Sequence, residues 1–86
     1  MDAKTVVLDF LAKNAKKPLP GRDDPALMQC RYLDLGVVDS LGIVLMITEF
    51  EDRLGIAFSA EDMQSYDFLT VGGLIGIVER KVAQKQ

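Results

Sequence analysis

The residues of this chain best suited to chemistry stand together near its middle, in Gly36-Val37-Val38-Asp39-Ser40-Leu41. Asp39 and Ser40 are both helix-capping types, because their side-chain oxygens accept hydrogen bonds from the unpartnered N–H groups of a first turn. Beyond them the apolar residues take up a helical rhythm. At about 100° per residue, Ile43, Met46, Ile47, Phe50 and Leu54 fall within one arc as wide as a core-facing stripe. Gly55 is the residue type that ends helices. A serine hydroxyl at such a helix start suits the carrying of a phosphodiester, since exposed N–H groups and the positive end of the helix dipole stabilise an anion there. On the local pattern alone the competing reading is that Ser40 is simply an N-cap, Ser and Asp being among the commonest caps.

Other chemistries find little material. Histidine is absent, which removes a Ser-His-Asp arrangement and leaves an esterase-like use of Ser40 weak. Cys30 is the single cysteine, so there is no intramolecular disulfide and no Cys-rich metal framework, and a reducing cytoplasm is the natural setting. With only Arg31 as a basic neighbour, Cys30 reads as a loop cysteine without chemistry of its own. No EF-hand or Walker pattern is present, and no metal site is expected.

A length of 86 residues, 49% hydrophobic and 27% charged, predicts one soluble globular domain over 1–86. The net charge of −3 hides a segregation: residues 1–31 carry +2, residues 32–69 carry −7 and residues 70–86 carry +2. The acid gathers around Ser40 and on its C-terminal side. Such a field repels nucleic acid and steers basic protein surfaces toward the serine, acting more on association rate than on final affinity.

The elements that must hold Ser40 are helical. Ala3, Val7, Phe10, Leu11 and Asn14 lie at helical spacing, widened by Val6 and Leu8, which predicts a first helix over 3–14 capped by Asp2. The acidic Asp2 and the interruption at Asp9 argue against a signal peptide. Pro18, Pro20 and Gly21 open a long loop to Val38, with a short turn from Asp24-Pro25 through Met28, and with Leu27, Tyr32, Leu33, Leu35 and Cys30 as packing residues. Ser59 and Asp62 resemble a capping box and predict a short helix within 60–68, anchored by Met63 and Phe68. Thr70 caps a last helix whose buried face is Leu74, Ile75, Ile77, Val78 and Val82. Its glycines, Gly72, Gly73 and Gly76, are read as close backbone approach to the serine-bearing helix or room for a bound chain. The apolar run from Phe68 to Val78 is too short to span a membrane.

Taken together, the acidic chain, the Asp39-Ser40-Leu41 motif opening an amphipathic helix, Gly55-Ile56 after it and Thr70-Val71-Gly72 opening the last helix resemble an acyl carrier protein along nearly the whole length. The resemblance implies an all-α bundle of three longer helices and one short one, with a long loop after the first. It implies that Ser40 receives a 4′-phosphopantetheine arm from coenzyme A through a phosphopantetheinyl transferase, with Asp39 contributing to metal or recognition contacts in that step. The carrier then bears acyl or aminoacyl groups as thioesters between a loading enzyme and downstream acyl-transfer enzymes. It acts as a cytoplasmic monomer without catalysis of its own. Two features, the pair Val37-Val38 before Asp39 and Gly42 after Leu41, look more like D-alanyl and some peptidyl carriers than the fatty-acid-synthase type.

On the wheel of the central helix Leu41, Leu45, Thr48 and Asp52 fall opposite the core stripe. Two leucines facing outward beside the proposed tether read as a partner surface. The expected recognition set is Leu41, Val44, Leu45, Thr48, Glu51 and Asp52. The alternative from another class is a non-carrier helical interaction module that uses the acidic face only to bind a partner.

Overall fold

Each stretch of apolar helical periodicity forms a helix, and the departures from expectation lie in the connections. The computed structural model describes residues 2–84, and all regular elements among these residues are helical. α1 (Ala3–Asn14) buries Ala3, Val6, Val7, Leu8, Phe10 and Leu11. Asp2 stands at its cap position, but its carboxylate accepts from the Thr5 hydroxyl (2.9 Å) instead of from a backbone N–H. Asn14 is exposed and donates its side-chain amide to the Phe10 carbonyl (3.0 Å), so it tidies the helix surface and takes no place in the core. α2 (Ala26–Gln29) is the short turn in the long loop, with the Ala26 N–H held by Asp24 Oδ1 (2.9 Å).

α3 (Ser40–Leu54) buries Met46, Phe50 and Leu54 and packs Ile43 and Ile47 at the core edge. It stops at Gly55, whose left-handed backbone (φ 65°, ψ 35°) reverses the chain at no Cβ cost. The stretch expected to form one short helix over 60–68 divides into α4 (Ala60–Gln64) and a 3-10 turn (Tyr66–Leu69), broken at Ser65, whose Oγ accepts from the Asp67 N–H (3.1 Å) and caps the turn. The Ser59–Asp62 capping box is complete in both directions. Phe68 is buried, whereas Met63 is 44% exposed: the five-residue α4 buries none of its side chains and leaves the inward position to Phe68 on the 3-10 turn. α5 (Val71–Gln84) starts with Thr70 Oγ1 accepting from the Gly73 N–H (3.0 Å) and buries Val71, Leu74, Ile75, Ile77 and Val78.

α5 packs against α1, α2 and the 3-10 turn, while α3 packs against α1. Four phenylalanines and one tyrosine run through the centre as ring-to-ring neighbours, Phe10–Phe50–Phe58–Phe68–Tyr32, with centroids 5.7 to 6.5 Å apart. The Phe10–Phe50 and Tyr32–Phe68 links join segments distant in sequence, and such pairs add roughly 0.5–1.5 kcal/mol beyond the burial of their area.

The glycines of α5 make their close approaches elsewhere than expected. A Cβ on Gly73 would lie 2.1 Å from the Asp67 carbonyl oxygen, and one on Gly72 would lie 2.9 Å from that of Met28. The partners are therefore the 3-10 turn and α2, not the serine-bearing helix. Gly76 faces only the far end of the Arg80 side chain.

Candidate functional site

The segment that presents Ser40 is held from both sides before α3 begins. The Tyr32 carbonyl accepts from the N–H groups of Val37 (3.0 Å) and Val38 (3.3 Å), and the Lys16 N–H donates to the Val37 carbonyl (2.9 Å). Gly36 takes φ 74°, a conformation in which glycine is at ease, and Lys17 lays its stem across it. Val37 and Val38 are buried, so the turn is pinned into the core immediately before the two polar residues. Tyr32 is itself fixed, fully buried with its hydroxyl donating to the Phe68 carbonyl. The Cys30 carbonyl accepts from the Val71 N–H (3.0 Å), which ties the same loop to the start of α5. Leu33 packs at the core edge, but Leu35 is 56% exposed, because Gly36 turns the chain there and hands the inward positions to Val37 and Val38. Cys30 is buried and unpaired, and burial raises its thiol pKa, away from thiolate chemistry.

Asp39, not Ser40, caps α3. Its Oδ1 accepts from the Gly42 N–H at 2.8 Å. Gly42 makes this possible: a Cβ there would come within 2.8 Å of Val38 Cγ1 and 3.3 Å of Asp39 Oδ1. The other carboxylate oxygen, Oδ2, accepts from Lys16 Nζ at 2.5 Å. The Lys16 hydrogen bond first, and then that from Gly42, hold the Asp39 carboxyl below the usual carboxylate range. Ser40 is consequently the first residue inside the helix, exposed, its hydroxyl released from capping duty. Lys16 is the residue of this site that sequence reasoning missed. It lies 23 positions from Asp39, and no local pattern links the two.

The outward face of α3 carries Leu41 (69% exposed), Val44 (60%) and Leu45 (56%), continued by the exposed Thr48 and Asp52. The Thr48 hydroxyl donates back to the Val44 carbonyl (2.9 Å) and leaves its methyl on the ridge. Glu51 differs from these: it is half-buried, and its Oε2 accepts from the Phe58 N–H (2.9 Å), securing the chain after α3. On the wheel it sits at the border between ridge and core, which is why it can reach both. Beside the ridge, α1 and α3 leave a cleft of about 110 Å³ lined by Phe10, Lys16, Asp39, Leu41 and Leu45 among others, and a second, more open one of about 460 Å³ farther along toward Asp52. No helix among the described residues is long and apolar enough to cross a membrane.

This arrangement offers an exposed nucleophilic hydroxyl on a rigid turn, a fixed carboxylate next to it, and an apolar ridge leading away. Among the described residues no base accepts a hydrogen bond from this hydroxyl, and the Asp39 oxygens are taken by Lys16 and Gly42. Compared with known proteins, residues 29–78 match the family described as "Phosphopantetheine attachment site", a segment that contains Ser40, all of α3 and most of α5. Over 78 residues, 91% of this chain and 91% of the relative, the sequence is 31% identical to D-alanyl carrier protein 1 of Lactiplantibacillus plantarum. A family match over more than half of the chain and a relative that follows nearly all of it make the conclusion plain: the chain belongs to the phosphopantetheine-attachment family, as a carrier protein without catalysis of its own that bears a covalently attached 4′-phosphopantetheine.

Proposed function

We propose that Ser40 is the attachment residue and that the cargo is an aminoacyl group, with other acyl groups as the broader class. The observation that carries the first part is the division of labour at the head of α3: Asp39 makes the cap, and Ser40 stands exposed with its hydroxyl free of that role. The site suits the arm. Ser40 lies at the start of a 15-residue helix, where an anion is favoured by the dipole, and adding a group to its oxygen breaks no capping bond. When bound, the arm supplies a thiol on a flexible tether, which holds a carboxylic cargo as a thioester and raises its effective concentration at partner active sites. This chain's own residues do the presenting: Tyr32 and Lys16 fix the turn, Asp39 fixes the helix start and Gly42 gives Asp39 its room.

The aminoacyl reading is supported by likeness to a protein named as a D-alanyl carrier, together with Val37-Val38 and Gly42 around the motif. Partners follow from the same reading: a phosphopantetheinyl transferase, an amino-acid-loading enzyme and a downstream acyl-transfer enzyme. Leu41, Val44, Leu45 and Thr48 form the proposed contact surface, Glu51 and Asp52 supply acidic steering, and Asp39 contributes to recognition by the transferase. Glu51 keeps its negative charge while accepting from the neutral Phe58 N–H, so it and Asp52 share the steering charge at the far end. The carrier acts as a cytoplasmic monomer in this reading, a setting supported by its lone buried cysteine.

The experiment is incubation with coenzyme A and a broad-specificity phosphopantetheinyl transferase, followed by intact-mass measurement and peptide mapping. The wild-type chain gains one phosphopantetheine on Ser40, and Ser40→Ala gains none while keeping its helical circular dichroism. Modification of the Ser40→Ala variant would move the site elsewhere. Presenting the modified carrier with adenylating enzymes for amino acids, and separately with ligases for fatty acids, decides the cargo class.

A further inference from the structure

Modification at Ser40 places a phosphodiester anion directly after the Asp39 carboxylate, in the stretch that carries −7 over residues 32–69. Like charges well within the Debye length of about 8 Å repel with little screening. The helix dipole offsets part of this, but Asp39 already uses the Gly42 N–H. One side-chain cation is in place at this helix start. Lys16 arrives from the end of α1, its backbone N–H anchored on the Val37 carbonyl and its ammonium on Asp39 Oδ2. Other cations flanking this segment are directed elsewhere: Arg31 pairs with Asp34 at 2.8 Å, and Lys17 lies over Gly36. The Lys16 side chain is 62% exposed, so solvent-filled space for a phosphodiester lies beside its ammonium, and it lines the cleft shared with Asp39, Leu41 and Gly42.

We propose that Lys16 is the counter-cation of the modified carrier, its ammonium bridging the Asp39 carboxylate and the phosphodiester on Ser40. An ammonium has three donors and Asp39 takes one, which leaves two for phosphate oxygens. The inference rests on Ser40 as the attachment residue, and it assigns a role to a residue outside the segment that the family match covers. The same lysine thus serves the site twice: it holds Asp39 before modification and neutralises the new charge afterwards.

The test reads the phosphorus nucleus of the modified protein. Wild type, Lys16→Met, Lys16→Arg and Lys17→Met are modified with a broad-specificity transferase and purified. Because the link is covalent, a variant that reacts slowly is still brought to completion. Lys17→Met removes the same charge one residue away and controls for net charge. The expected result is that the phosphodiester resonance of Lys16→Met moves toward its position in the denatured protein, while Lys16→Arg and Lys17→Met stay with wild type. Raising the salt concentration should move the wild-type line in the same direction as the methionine substitution, and leave Lys16→Met unmoved. Unchanged helical circular dichroism and an unchanged Val38 amide shift in Lys16→Met show that the turn is intact, whereas the Gly42 amide, which shares the Asp39 carboxylate with Lys16, is expected to respond. A resonance unaffected by Lys16→Met, or moved equally by Lys17→Met, overturns the bridging role and leaves the attachment at Ser40 standing. A wild-type chain that gains no mass overturns the attachment reading itself.

Discussion

Alanine substitutions at the three glycines of α5 should differ in sign as well as in size. At Gly76 an added methyl meets only the Arg80 guanidinium at 3.6 Å, an ordinary contact. The helix interior then gains the propensity difference between glycine and alanine, about 0.8–1.0 kcal/mol. At Gly73 the methyl lies 2.1 Å from the Asp67 carbonyl oxygen, 2.6 Å from its Cα and 2.7 Å from its carbonyl carbon. All three are backbone atoms, so no rotamer relieves the overlap and the 3-10 turn itself must move. That turn carries the buried Phe68, whose carbonyl receives the Tyr32 hydroxyl, so displacement spreads into the aromatic chain. Overpacking costs about 1–3 kcal/mol and occasionally more, and here the upper end is expected, against a total stability of about 4–13 kcal/mol for a chain of this size. Gly72, with Met28 backbone oxygen at 2.9 Å and Met28 Cβ at 3.2 Å, should fall between, with a net loss of about 1 kcal/mol. Thermal and urea melts followed by circular dichroism measure all three. At about 4–8 °C per kcal/mol, Gly76→Ala raises the midpoint by several degrees and Gly73→Ala lowers it by more than about 10 °C. Equal effects at Gly73 and Gly76, or a stabilised Gly73→Ala, would refute the packing argument.

Two further outcomes concern the surface and the charges. Leu45→Glu, at a position 56% exposed, should change stability by no more than about 0.5 kcal/mol while weakening loading of the modified carrier, as read by a denaturant melt paired with a loading assay; a loss of several kcal/mol would place Leu45 in the core. At Asp62, burial raises the carboxyl pKa but is outweighed by hydrogen bonds from Lys81 and Ser59, so the net shift is downward. A depressed carboxyl contributes stability that is present above its unfolded pKa of about 4 and lost as the pH falls through the folded value. Asp62→Asn should therefore lower the melting temperature at neutral pH and flatten the acid limb of the stability profile, and an unchanged acid limb would discount the network.

Much of this molecule is legible from sequence because its signals are local. The stripe Met46–Phe50–Leu54, the Gly55 stop, the Ser59–Asp62 box and the Thr70 cap are each decided within a few residues, and each forms. The outward placement of Leu41 and Leu45 follows from the same periodicity. The features that sequence does not reveal depend on segments that meet only in space. Nothing near Lys16 announces Asp39, and nothing near Gly73 announces Asp67. The burial of Val37 and Val38 and the exposure of Leu35 hang on one positive-φ glycine, at a place where periodicity gives no guide. Ser40 and Asp39 are both good caps by type, and only the geometry divides the roles between them.

The anchoring of Tyr32 has a consequence for timing. Its carbonyl holds Val37 and Val38 while its ring and hydroxyl lie within the protein among Phe68 and the 3-10 turn. The stretch before Ser40 is thus a loop by geometry but belongs to the cooperative core by its hydrogen bonds. Its amides should exchange with solvent at the slow rate of global opening, not at the fast rate of a fraying loop. With the arm on Ser40 as proposed, its base should stay still on the nanosecond to microsecond scale on which surface loops move, and the volume swept by the cargo should be set by the arm alone. A partner enzyme meets a fixed pivot, so its search is confined to the reach of the tether and includes no wandering of the protein beneath it.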